Sequence, residues 1–167
     1  PSRIAMNWSN AVRTALVCII LIVLHYTLRP LLGWRASVDF MLIALVFGAV
    51  RMRPAGASVF GFILGLAGDS LALGAFGAGA LAGTLVGFSA SWLKAVFFAD
   101  NLALNAFFLF IGKWAFDVVY VLMEQRMHGM DMLMQIIVWS PLSAAVTALA
   151  GVIAIAMLRP ILEVRAA

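Results

Sequence analysis

Four polar residues interrupt an apolar stretch in the second half of the chain: Asn101, Asn105, Lys113 and Asp117, spaced by 4, 8 and 4 residues. On a helix they lie near one face, drifting by about 40° for every four residues. Leu109 interrupts the stripe. Lys113 and Asp117 are an i, i+4 pair of opposite charge well inside the apolar run. Charges in hydrocarbon must face each other, protein or water. Two readings stay open: a site for an ion, a proton or a ligand, or a self-neutralising pair that fixes the rotation of the helix.

Asp69 is the second informative acid. It ends a short apolar segment, where a carboxylate must be paired, solvated or protonated. Asp69 and Ser70 are both good caps for the helix that follows. Asp69 could equally line a cavity reached from outside. Leu66-Ala67-Gly68-Asp69 approaches the Gly-x-Gly-Asp signature of intramembrane aspartyl proteases, but Leu66 replaces the first glycine. Asp117 would have to supply the second acid. The chain has no Gly-x-Ser-x-Gly, no His-Glu-x-x-His and no phosphate-binding glycine loop before a Lys-Ser/Thr pair. A protein without catalytic activity and without a cofactor is expected.

The glycines are patterned. Gly61 and Gly65 form a G-x-x-x-G, with Asp69 at the same spacing, and Gly79, Gly83 and Gly87 form a longer series. Residues four apart share a helical face, so each series is a groove that another helix can approach closely. That helix could belong to a partner or to this chain.

These residues need apolar helices to hold them. Of 167 residues, 65% are hydrophobic and 11% charged, against about 25% charged in soluble domains. The charges cluster at the edges of long apolar runs, and a span takes roughly 20 residues. The expected fold is an all-α integral membrane protein, a single domain over 1–167. Its six spans are placed at about 11–28, 38–50, 55–68, 71–93, 102–123 and 132–158. The first reads as a retained anchor stopped by Arg29-Pro30. The third is short enough to be tilted or re-entrant. The sixth contains Pro141 and ends at Arg159-Pro160. Alternation that would mark a β-barrel is absent.

The pI near 10.0 does not signal nucleic acid, because the eleven basic residues are scattered along the chain, all but Lys113 at span ends, rather than clustered on one face. With six spans and an inner N-terminus, Arg3, Arg13, Arg51, Arg53, Lys94, Arg159 and Arg165 lie inside, and Arg29, Arg35 and Arg126 outside. Seven against three favours both termini in the cytoplasm. Tyr26, Trp34, Trp92 and Tyr120 fall near span ends as an aromatic belt. Trp114 lies mid-span and needs a packing explanation. Cys18 is the single cysteine, so neither a disulfide nor a thiol metal site is expected. His25 and His128 read as interfacial histidines of different span ends rather than a metal pair.

The run 38–93 resembles the MreD family of rod shape-determining proteins. The matching parts are Asp39 before an apolar helix, the basic turn Arg51-Met52-Arg53-Pro54, the run Gly61-Phe62-Ile63-Leu64-Gly65-Leu66-Ala67-Gly68-Asp69, and Leu73-Gly74-Ala75-Phe76-Gly77 ahead of a small-residue helix. Two details depart from the family: Ser37-Val38 stands where a proline usually precedes the acid, and the register of the glycine after the third helix differs. Lys113 and Asp117 fall in no family motif. The resemblance implies a non-enzymatic scaffold of bacterial cell elongation in the inner membrane. Its implied partners are MreC, a single-span coiled-coil protein, and the MreB and RodA–penicillin-binding-protein assembly. It also implies a helical arrangement similar to the S-components of energy-coupling factor transporters, with a cavity opening outward. The rival expectation is therefore a small-molecule binding subunit of a transporter. On either reading, Gly61, Gly65, Asp69, Asn105, Lys113 and Asp117 are the candidate contact residues, and Gly79, Gly83 and Gly87 pack helices.

Overall fold

The computed structural model describes residues 8–32, 38–71, 76–93, 102–124 and 129–163. They form helices and short turns. The helices are α1 (Trp8–Leu32), α2 (Phe40–Ala49), α3 (Pro54–Leu71), α4 (Ala78–Trp92) and α5 (Leu102–Glu124). A last helix, α6, runs through Met130–Met134, a π turn at Gln135–Trp139, and Ser140–Glu163. Two of these stretches, Leu102–Glu124 and Met130–Met157, are long and apolar enough to cross a membrane.

α2 is the axis of the bundle. Its ten residues carry no polar side chain, and Met41 through Ala49 are all buried. A helix that is apolar all round must be surrounded, and α2 touches each of the other five. Leu42, Leu45 and Val46 meet Leu64 of α3, Val86 of α4 and Leu109 of α5 in one core cluster. At one end Asp39 caps α2, its Oδ1 accepting from Leu42 N at 3.0 Å. At the other, the Arg51 guanidinium donates to the Phe47 carbonyl at 3.2 Å and lies 3.8 Å over the Phe47 ring. Ser91 of α4 donates to the Met52 carbonyl at 2.8 Å, tying the basic turn to α4.

The glycine series pack α3 against α4 as antiparallel neighbours. A Cβ at Gly61 would run into the Gly83 carbonyl, one at Gly65 into the Gly79 carbonyl, and one at Gly87 into the Ala57 carbonyl. Each step of four along α3 is matched by a step of four back along α4. The two grooves expected from sequence thus fill each other.

Several boundaries differ from the sequence reading. α1 and α6 continue past Arg29-Pro30 and Arg159-Pro160 to Leu32 and Glu163, because proline has a helical φ and here removes one hydrogen bond near a helix end. α3 runs through Asp69 to Leu71, 18 residues in all, because the acid bonds to another helix and does not stop its own. α4 starts at Ala78 instead of residue 71, after Gly77 in the left-handed region at φ 103°, which glycine adopts without penalty.

The π turn explains Trp114. The Ser140 N–H reaches back five residues to Gln135, and Pro141 has no N–H. The Ile136 carbonyl therefore loses both helical donors. Trp114 of α5 donates its indole N–H to that carbonyl at 3.1 Å. Trp114→Phe should cost about 1–3 kcal/mol by orphaning the carbonyl. In a Pro141→Ala background, where a backbone N–H is restored, the same change should cost much less. Thermal unfolding of the four proteins of this cycle checks it; equal losses in both backgrounds would refute the assignment.

Candidate functional site

The polar residues converge at the end of α2 opposite the basic turn. α2 is only about 15 Å long at 1.5 Å per residue, half the hydrocarbon thickness of about 30 Å. Its capping acid is therefore carried toward the middle of the bundle, where it meets α5. Lys113 Nζ lies 3.0 Å from Asp39 Oδ2 and donates to Asp117 Oδ1 at 2.5 Å. His25 of α1 brings Nδ1 to 3.5 Å from Asp39 Oδ1. The Asp39 N–H donates to Thr147 Oγ1 of α6 at 3.1 Å. Four helices thus converge on Asp39, three of them on its carboxylate and α6 on its backbone N–H.

The Lys113–Asp117 pair expected from sequence is consequently part of a triad. One ammonium bridges two carboxylates on two helices, and Asp39 is the member the sequence reading assigned only to helix opening. His25 is buried beside Asp39, a neighbour that its position near a span end does not signal. Nothing in the spacing of residues 25, 39 and 113 signals this meeting. The brevity of the apolar run after Asp39 is the one sequence feature that could have placed the acid at depth. His128 and Asn101 lie outside the described residues.

Asp69 performs the capping role and lines the cavity as well. It accepts from the backbone N–H groups of Gly77 at 2.9 Å through Oδ2, of Gly79 at 3.0 Å through Oδ1, and of Ala80 at 3.1 Å through Oδ2. These are the cap and the second and third residues of α4, whose N–H groups have no helical acceptor. Ser70 does not cap α4; its hydroxyl donates to the Ala67 carbonyl at 2.8 Å within α3. Gly79 allows the approach, since a Cβ there would collide with Asp69 Oδ1.

A cavity of about 150 Å³ joins these groups, lined by His25, Asp39, Asp69, Lys113, Asp117 and Tyr120 among others. Gly65 and Gly79 also border it. Asn105 does not. It is buried on the Lys113 face of α5, two turns away beyond Leu109, and its Oδ1 has no hydrogen-bond partner among the described residues. Gly83 and Gly87 lie inside the α3–α4 contact. Asp69 and Asp117 share the cavity, yet Asp69 is saturated by N–H donors and Asp117 is held by Lys113.

A second, apolar cavity of about 350 Å³ lies between α4 and α5, bordered by Val46, Leu85, Val86, Phe107, Ile111 and Val119 among others. The chain matches no family profile, no curated protein and no solved structure.

Proposed function

We propose that this chain is a non-enzymatic, multi-pass scaffold of the bacterial elongation complex in the inner membrane, which binds MreC and supports cell-shape maintenance and peptidoglycan synthesis beside MreB and the RodA–penicillin-binding-protein assembly. The observation that carries this is the identity of the residues that build the α3–α4 unit. Arg51 to Pro54, Gly61 to Asp69 and Gly77 are among the residues on which the resemblance to the MreD family rests, with Asp39 and Leu73 to Phe76. They act together here as a basic turn, a close helix contact and a carboxylate cap. Membrane insertion is supported by the outer surface, where Ile19, Ile20, Phe62, Ile63, Phe107 and Ile153 are exposed; water would penalise such a surface heavily.

On this reading the chain crosses six times with both termini in the cytoplasm. Lys and Arg number seven inside and three outside. Reporter fusions at both ends should therefore give cytoplasmic signals. A periplasmic C-terminus would make α3 re-entrant and remove the six-span topology. The scaffold role is tested by co-purification of the native membrane complex. Recovery of a single-span coiled-coil protein is the expected result, and recovery of an ATPase module in its place overturns it. That second outcome belongs to the rival reading, a small-molecule binding subunit similar to an S-component. One observation favours it: the cavity that holds Lys113 between two acids.

A further inference from the structure

We infer that His25 is a proton-binding site, and that the proton it holds latches α1 to the rest of the bundle. α1 is the peripheral helix. Among the described residues it packs extensively only on α2. Cys18 and Leu21 meet Ile43, Ala44 and Phe47 of α2, while Leu16, Ile19, Ile20 and Val23 are exposed. The link from α1 to the polar cavity is His25, 5% exposed, with Nδ1 3.5 Å from Asp39 Oδ1. At that distance the contact is longer than an ordinary hydrogen bond and draws its strength from charge. The imidazole has that charge only when both ring nitrogens carry protons.

The groups that face His25 call for this proton. α2 supplies Asp39, α5 supplies Lys113 and Asp117, and α3 supplies Asp69. Asp69 is neutralised locally by three N–H groups at the positive end of α4. α6 contributes the neutral Thr147, at the Asp39 N–H. α1 itself contributes the Tyr26 ring, set at 88° to the imidazole. Asp39 and Asp117 against Lys113 leave one negative charge, and a protonated His25 brings the cluster to zero. Burial alone strips a histidine of its charge; here the uncancelled carboxylate charge opposes that cost at close range. The cavity of about 150 Å³ has room for roughly five waters at 30 Å³ each, to which His25 passes its proton on release. A neutral imidazole leaves the cluster negative, and α1 loses its charged tie to α2.

The stability that this contact supplies is complete at low pH, where His25 is charged whether the chain is folded or unfolded. It is lost as the pH rises past the point at which the folded chain gives up the proton. The full chain in nanodiscs tests this. Between pH 6 and pH 9 its Tm should fall by about 3–5 °C more than that of His25→Gln, equivalent to a tenfold loss in the folding equilibrium. His128 is present in both proteins and cancels. Cys18 reports on the latch, since it is the single cysteine and is buried in the α1–α2 contact. At pH 6, N-ethylmaleimide should alkylate it several-fold more slowly in the unaltered chain than in His25→Gln. At pH 9 the two rates should converge. Taking their ratio at each pH cancels the ionisation of the thiol itself. Should His25→Gln fail to fold, the imidazole is read directly. The chain has two histidines, so His128→Gln leaves His25 alone, and its 15N-labelled ring should be doubly protonated at pH 7. A neutral ring at pH 6 overturns the proposal. So does a Tm that falls with pH as steeply in His25→Gln as in the unaltered chain, which would put the proton on another group such as Asp117. Neither result touches the recovery of a coiled-coil partner.

Discussion

Lys113→Met should be the most damaging single substitution at the polar site, lowering stability by roughly 3–5 kcal/mol. Lys113 is the ammonium shared by Asp39 and Asp117, so its loss leaves two half-buried acids without their shared ammonium. Asp117→Leu should cost distinctly less. Lys113 then keeps Asp39 at 3.0 Å, and that carboxylate retains the Leu42 N–H. The double variant should recover only part of the loss, because Asp39 stays behind with His25 as its neighbour. Exchanging the two residues should not rescue either. The exchange sets an aspartate against Asp39 and carries the ammonium one turn away from it. An isolated i, i+4 pair predicts the opposite pattern, with equal single losses and a rescued swap. Thermal unfolding of the four variants in one detergent decides between them. If Asp117→Leu is as damaging as Lys113→Met and the swap restores Tm, the triad does not hold the helices.

The glycine contact between α3 and α4 should be nearly as sensitive, and to a single methyl group. Gly61→Ala and Gly65→Ala each place a Cβ against a backbone carbonyl of the facing helix. A side chain can rotate away from such a contact; a carbonyl moves only with its helix. Each should cost about 1–3 kcal/mol, and leucine at either position should prevent the hairpin from closing and reduce the folded yield. Gly56 and Gly112 are the internal controls. A Cβ at Gly56 meets nothing nearer than Met52 Cβ at 3.9 Å, and one at Gly112 nothing nearer than Val86 Cγ1 at 3.9 Å. Alanine there should be neutral or stabilising by up to about 1 kcal/mol, through its better helix propensity. Unfolding midpoints of the four alanine variants test the contrast. Indistinguishable values would mean that α3 and α4 do not approach this closely.

The resulting picture separates two kinds of polar residue in an apolar bundle. Asp69 works for α4 as a cap, and its side chain is consumed by three backbone donors. Lys113 works between helices. It joins α5 to the start of α2, the helix every other one packs against. The Asp39 end of α2 therefore depends on charge, and its Arg51 end on that guanidinium and the Ser91 hydroxyl bonded to the turn.

What the sequence alone determined is what depends on neighbours within a few residues. The helical class follows from apolar runs without strand alternation. α5 extends over Leu102–Glu124, almost as its composition indicates, because polar residues flank it. The Lys113–Asp117 contact follows from a spacing of four, and the need for close helix approach follows from glycines at that same spacing. The tertiary structure decided everything that joins distant segments. It paired the two glycine series with each other, a choice left open because a smooth helical face is the same toward any partner. It brought Asp39 and His25 to Lys113 across 74 and 88 residues of chain, through the shortness of α2 and the packing around it. It assigned Trp114 to a carbonyl that Pro141 leaves without a donor. In each case the deciding quantity is a polar group withdrawn from water. Local spacing shows that such a group exists, and only the packed bundle supplies the group that satisfies it.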